Sequence, residues 1–141
     1  MPGGAGVAIA EDVLPAFEDF KLQRNKMKSK RYFLMNIHKG EIILVGCGDR
    51  SETFEDFCLK LMETGEPRYG VVDMPTRAGG PATKLVFVAW IPDATAKIAH
   101  KMVYAATKET LLREMRGIMV NINATDLSEL DFTIDEHGHV F

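Results

Sequence analysis

Between Pro92 and Gly117 no proline interrupts the chain, and the stretch is rich in alanine, leucine, lysine and methionine, which favour the helical state. Pro92 stops a preceding strand, Asp93 or Thr95 can cap a helix start, and Gly117 supplies the stop. The signals predict a helix over 96–116, roughly 30 Å long at ~1.5 Å rise per residue. At about 100° per residue, Ile98, Ala99, Met102, Val103 and Ala106 share one apolar sector. In the second half the apolar residues shift to Leu111, Leu112 and Met115, with Tyr104 leading into them. That shift predicts a bend near Ala106 and Thr107, aided by the Thr107 hydroxyl bonding back to a carbonyl. Lys97, Lys101 and Lys108 fall on one side of the same helix. Two readings stay open: a core helix with a solvated lysine face, or a helix that docks its apolar stripe on another protein. The strand-to-helix passage at Trp90-Ile91-Pro92-Asp93 suits docking better than chemistry on a small molecule.

The rest of the chain alternates helical and extended patterns. Over 11–22, Val13, Leu14, Phe17 and Phe20 recur at helical spacing, and Pro15 sits in the first turn, where it is tolerated. The polar, basic stretch 23–31 is a connecting loop. Two short apolar runs, 32–37 and 41–45, flank a hairpin-like turn at Lys39-Gly40. Phe54, Phe57, Cys58 and Leu61 mark a second helix over 54–62, with Ser51 or Thr53 as its cap. Strands over 69–74 and 85–91 flank a glycine- and proline-rich turn, and 118–122 reads as a last strand. Asp126 caps a brief helical turn around 127–130. The pattern implies one mixed sheet with helices on both faces, an α/β (α+β) arrangement in one domain over 1–141. The short termini, about 1–5 and 132–141, are expected to be flexible.

Composition narrows the function classes. A chain of 141 residues with 46% hydrophobic and 26% charged residues is large enough for a proper core without staples. A net charge of -3 argues against a general nucleic-acid coat, so no nucleic-acid partner is expected. Two cysteines, Cys47 and Cys58, make no disulfide framework and point to a reducing, cytoplasmic compartment. No apolar run reaches the ~18 residues of a membrane span, and the N-terminal stretch is too weakly apolar for a signal peptide. No site for a metal or cofactor stands out. His137 and His139 lie near a frayed end, and His38 lacks a cysteine or carboxylate at ligand spacing. Gly46-Cys47-Gly48 opens no helix with a Lys-Ser/Thr pair, so it is no phosphate cradle. Cys47 lacks an obvious activating base and Cys58 lies on the apolar side of its helix, so neither is expected to act as a nucleophile. Trp90 and Tyr104 are large structural bodies whose polar tips need partners if buried. No pair of carboxylates stands out as acid and base, and no enzyme is expected.

Four motifs in order carry a family resemblance. They are Phe17-Glu18-Asp19-Phe20-Lys21, Arg68-Tyr69-Gly70-Val71-Val72-Asp73, Lys84 to Trp90, and Trp90-x-Pro92-Asp93 with Lys101-Met102-Val103-Tyr104-Ala105-Ala106-Thr107-Lys108-Glu109. With Gly6-Val7 opening the pattern, the chain resembles the actin-depolymerising factor/cofilin family from about Gly6 to about Glu129. The resemblance implies an actin-depolymerising-factor homology domain, with a five-stranded mixed sheet sandwiched between helices. It implies a monomeric actin-binding protein of the cytoskeleton that prefers ADP-loaded actin monomers, promotes filament disassembly and turnover, and has no catalysis. The implied actin-binding residues are Ala5, Gly6, Val7, Lys97, Lys101, Met102 and Lys108. Met102 would be the apolar anchor, and Lys101 and Lys108 would meet acidic groups.

The departures from the family pattern have consequences of their own. Ala99 stands where the family has the first of two basic residues before the methionine, so Lys97 would have to compensate from one turn earlier. The implied filament-side contact keeps only Arg77 and Lys84, and 131–139 contains no lysine or arginine. Weaker filament binding and severing follow. Ala5 replaces the serine whose phosphorylation inhibits family members, which removes that switch. Phosphoinositides are a second expected partner, at Lys101 and Lys108 or on the basic run 26–31, which otherwise reads as a solvated loop. The competing classes are a related adaptor, coactosin-like or glia-maturation-factor-like, acting on filament sides or the branching complex, and a small thiol enzyme using Cys47.

Overall fold

Period-two alternation along three strands assigns their side chains to opposite faces of one sheet. Phe33, Met35, Tyr69, Val71, Phe87 and Ala89 face one way, while Tyr32, Leu34, Val72, Val86, Val88 and Trp90 face the other. The computed structural model describes residues 6–141. Its elements are β1 (Ala8–Ile9), α1 (Val13–Leu22), β2 (Lys30–His38), β3 (Glu41–Asp49), α2 (Phe54–Met62), β4 (Arg68–Pro75), β5 (Thr83–Trp90), α3 (Ile98–Glu114) and β6 (Val120–Ala124). The strands form one six-stranded sheet in the order β1-β3-β2-β4-β5-β6. The sixth strand, beyond the five expected, is the two-residue β1, which runs parallel to the start of β3.

Two layers cover the sheet. Val13, Phe17 and Phe20 of α1, with Tyr104 and Leu111 of α3, pack on the first face. Phe57, Cys58 and Leu61 of α2 pack on the second, joined by Leu130 and Ile134. The central strands are antiparallel, whereas β5 and β6 are parallel neighbours. Parallel neighbours require a crossover, and α3 is that crossover. The topology therefore fixes the long helix across the first face.

Local chemistry explains most boundaries and corrects several. Thr53 caps α2 through a full capping box, its hydroxyl accepting from the Asp56 N–H at 3.2 Å while Asp56 accepts from the Thr53 N–H at 2.9 Å. Asp126 accepts from the Ser128 N–H at 2.9 Å, starting a 3₁₀ turn over Leu127–Leu130. Neither proposed cap of α3 is used: Lys97 holds the N-cap position without a side-chain bond. Thr95 donates instead to the Gly65 carbonyl at 2.6 Å, and Asp93 faces Lys101 at 3.5 Å. The strand expected to end at Val45 runs on to Asp49, taking in Gly46, Cys47 and Gly48, with a register shift opposite Leu34 and Met35. Gly48 is required there, because a Cβ would lie 2.2 Å from the Tyr32 ring.

The apolar sector expected on α3 divides between core and solvent. Tyr104, Thr107 and Leu111 are buried, whereas Ile98 is 73% and Met102 66% exposed. Hydropathy groups Ile98 with Met102, but the helix turns its tyrosine and threonine inward. The Thr107 hydroxyl is buried without a hydrogen-bond partner, so the expected bond back to a carbonyl does not form. An orphaned buried hydroxyl costs stability. Thr107→Val, which keeps the β-branched shape, is expected to stabilise the fold by about 1 kcal/mol, read as a higher midpoint in thermal unfolding.

The C-terminal segment, expected to be loose, folds back on itself. Thr133 and Phe141 exchange backbone hydrogen bonds at 3.0 and 2.9 Å, Ile134 is fully buried, and its carbonyl accepts from the Arg77 N–H at 2.7 Å. Asp135 closes this turn. Burial pushes its carboxyl up, but bonds from the His139 and His137 N–H groups and the His139 ring outweigh that and hold it below the usual range. The histidines therefore order a turn. No described helix is long and apolar enough to cross a membrane.

Candidate protein interface

The start of α3 is the most exposed apolar part of any helix on the first face. Ile98 and Met102, one turn apart, project from it, with Lys97 exposed beside them. Lys101 is half-buried and its ammonium lies 3.5 Å from Asp93. This turn lacks a side-chain cap, so its position depends on other contacts. Thr95 holds the Gly65 carbonyl, and His100 Nδ1 lies 2.9 Å from a carboxylate oxygen of Glu66. Both tie the helix start to the loop between α2 and β4. Farther in, the Tyr69 hydroxyl donates to the Tyr104 carbonyl, and the Tyr104 hydroxyl accepts from the Ile37 N–H at 2.8 Å. Burial raises both phenols above the ordinary tyrosine range, so they stay neutral hydrogen-bonding groups. Trp90 Nε1 is buried with no partner, so this polar tip goes unsatisfied.

The three lysines expected to act together differ in their surroundings. Lys97 is exposed and Lys101 partly so, but the Lys108 side chain is only 12% exposed. Its ammonium donates to Asn123 Oδ1 on β6 at 2.6 Å and lies 3.5 Å from Glu109. Helical spacing could not show this, because Asn123 is brought in by the β5–β6 crossover. Of the N-terminal residues, Ala5 lies outside the described residues. Gly6 is exposed with φ +78°, while the Val7 side chain is buried in the core. Val7 can thus offer a partner its backbone but not its side chain. Arg77 sits in the turn after β4 with its guanidinium 4.0 Å from the Phe141 ring centre, and Lys84 is half-buried on β5 opposite Met74.

The basic run 26–31 is not a uniform cationic patch. Met27 is buried, and Lys30 donates to Asp49 at 2.6 Å, which raises its pKa. Arg31 donates to the carbonyls of Asp73 and Arg50 at 3.2 and 3.0 Å. Lys26 and Lys28 remain exposed.

The thiols fall into two classes. Cys47 is exposed on β3, whereas burial, with a smaller contribution from Glu55, pushes the Cys58 thiol up to about 12. A folded sample treated with iodoacetamide at neutral pH should carry one label per chain, at Cys47, and labelling of Cys58 should appear only on unfolding. Among the described residues no group of three or more His, Cys, Asp and Glu side chains could hold a metal ion.

An exposed apolar pair flanked by cations, on a helix anchored from beneath, describes a module that binds another protein. A family model described as Cofilin/tropomyosin-type actin-binding protein matches residues 6–135, and the chain belongs to this family. It is similar to a cofilin of Schizosaccharomyces pombe, 38% identical over 133 residues covering 91% of this chain and 90% of that protein. It is 33% identical over 132 residues to actin-depolymerizing factor 7 of Arabidopsis thaliana, covering 92% of each. A crystal structure of Streptomyces griseoflavus cofilin superposes with a TM-score of 0.77 at 34% identity, over 89% of this chain and 91% of that one. The family is one of actin-binding proteins rather than enzymes, which removes the thiol-enzyme alternative.

Proposed function

We propose that this protein binds actin monomers, preferentially ADP-loaded, through the start of α3 and the adjoining N-terminal backbone, and that it promotes filament disassembly with a weakened filament-side contact. The observation that carries the reading is the exposure of Met102 and Ile98 on a helix whose opposite side is locked into the core. An apolar anchor needs flanking charge to fix its register, and Lys97 and Lys101 are placed to give it. Lys108 contributes only if actin draws it from Asn123. The same restriction weakens a phosphoinositide site built from Lys101 and Lys108.

Two features support a weak filament-side contact. Arg77, one of the two cations expected there, is stacked on Phe141, and the folded tail presents Asp131 and Glu136 but no lysine or arginine. With Ala5 in place of a phosphorylatable serine, the protein is proposed to act without a kinase switch at that position.

Two measurements test the reading. The protein should slow nucleotide exchange on ADP-actin monomers, and an absence of any effect would overturn monomer binding. In co-sedimentation it should pellet with filaments only weakly. Stoichiometric pelleting at low micromolar protein would remove the weakened filament contact and leave the monomer site standing.

A further inference from the structure

The second face of the sheet, opposite α3, carries a groove of about 530 Å³ between α2 and the C-terminal segment. Leu59 and Met62 form one wall, Leu127 and Phe132 the other. Leu59 is 64% and Leu127 63% exposed, although both border an apolar groove. Phe132 meets Phe54 edge-on at 5.4 Å, so an aromatic contact joins that wall to α2. Exposed leucines on both sides of a preformed apolar depression mark an interaction surface more than a stray surface residue does.

The charges around the groove select its occupant. Among the described residues, the charged ones lining it are Glu55 and Asp131, both exposed acids. Asp126 and Glu129, beside Leu127, are held in their ionised forms by bonds from Ser128 and Thr125. The nearest cation on α2, Lys60, is paired with Glu63 at 3.3 Å. The rim therefore favours a basic partner. A second copy of the chain would set this acidic rim against itself, which is unfavourable. The walls are a helix and a 3₁₀ turn, with no open strand edge to pair with an extended peptide. A helix, which satisfies its own backbone, is the conformation that fits.

We propose that this groove receives the apolar face of an amphipathic helical segment from a second protein, with lysine or arginine flanking its aliphatic anchors. It lies across the sheet from Met102, so it leaves the monomer contact at the start of α3 open. The proposal does not depend on actin binding, and its test needs none.

The probe is a synthetic helical peptide with leucines at i, i+3, i+4 and i+7 and lysines beside them, titrated into the isotopically labelled full chain. Saturable amide shifts are expected at Leu59, Leu127 and Phe132. A version with glutamates in place of the lysines should bind at least about tenfold more weakly. Leu59→Asp combined with Leu127→Asp should weaken the lysine peptide by at least about tenfold, with the unfolding midpoint and actin-monomer binding unchanged. Glu55→Gln with Asp131→Asn should weaken it several-fold and flatten its salt dependence. Equal binding of the two peptides, or shifts confined to another face, would overturn the proposal, and that comparison uses the unaltered protein. Dimerisation abolished by the leucine substitutions would assign the groove to self-association instead. Loss of actin binding in the leucine variant would assign it to the actin contact; either result overturns the proposal.

Discussion

Replacing Lys101 and Met102 together with alanine is expected to raise the dissociation constant for monomeric actin roughly 100-fold, about 2.7 kcal/mol. Met102 is the larger contributor. Its thioether is exposed in the free protein and would be desolvated in a partner's groove, which is where truncation costs most. Its removal should appear chiefly as faster dissociation. Lys101 should act more on the association rate and on its salt dependence. The fold should not suffer. Met102 is 66% exposed, and Lys101 gives up the packing of its half-buried stem and an ion pair with exposed Asp93 worth at most about 1 kcal/mol. An unfolding midpoint within a few degrees of the unaltered protein is therefore the control. Unchanged affinity in a folded double variant would remove α3 from the actin contact. Separate single variants add a second check: Lys101→Ala should lose most of its effect at high salt, whereas Met102→Ala should keep it.

Much of the frame was legible in the sequence, because local signals decided it. The α2 cap at Thr53, the turn at Lys39-Gly40 and the strand alternation each depend on neighbours in the chain, whereas α3 ends at Glu114, three residues before the stop expected at Gly117. The resemblance added the family, and the fold followed. What was not legible came from contacts between distant segments. Hydropathy put Ile98 and Met102 in one sector with Ala99, Val103 and Ala106 and left core and docking both open, yet Tyr104 and Thr107 take the inward positions because β4 and β2 supply what the tyrosine needs. Lys108 read as a free cation until β6 placed Asn123 against it. Val7 fell within the expected contact, but its side chain belongs to the core. The tail read as loose because it is short and polar, and a backbone bond between Arg77 and Ile134 is invisible to any local rule. His100 and Glu66 form a pair that no spacing pattern joins, since two strands, β4 and β5, separate them. The exposure of the apolar tip and the state of its cations were thus both set by tertiary structure.

Gly70→Ala is expected to destabilise the fold by about 2–3 kcal/mol through overpacking, although alanine is the smallest change a glycine can undergo. Gly70 lies in the middle of β4, paired with Leu34 of β2 on one side and Val88 of β5 on the other. The cost does not come from conformation, since its backbone is ordinary strand. It comes from α2. A Cβ at this position would stand 2.5 and 2.6 Å from two ring carbons of Phe57, and 3.2 Å from Leu61 Cδ2. The ring cannot swing away cheaply, because Phe57 is fully buried and packs against Tyr32 at 5.2 Å and Phe54 at 5.8 Å. Either α2 lifts from the sheet or the ring leaves its rotamer, and close-packed interiors penalise both. For a domain of this size the unfolding midpoint should fall by roughly 6–12 °C. The mechanism has its own check in Phe57→Leu, which removes the two clashing ring carbons. Alone it should destabilise by leaving a cavity. Combined with Gly70→Ala it should cost less than the sum of the two, because the added methyl fills space the ring vacated. Strict additivity would show that the glycine serves the strand and not its contact with α2. Lifting α2 would also disturb the loop that holds Thr95 and His100, so Gly70→Ala should weaken actin binding as well, and the double variant should restore part of it.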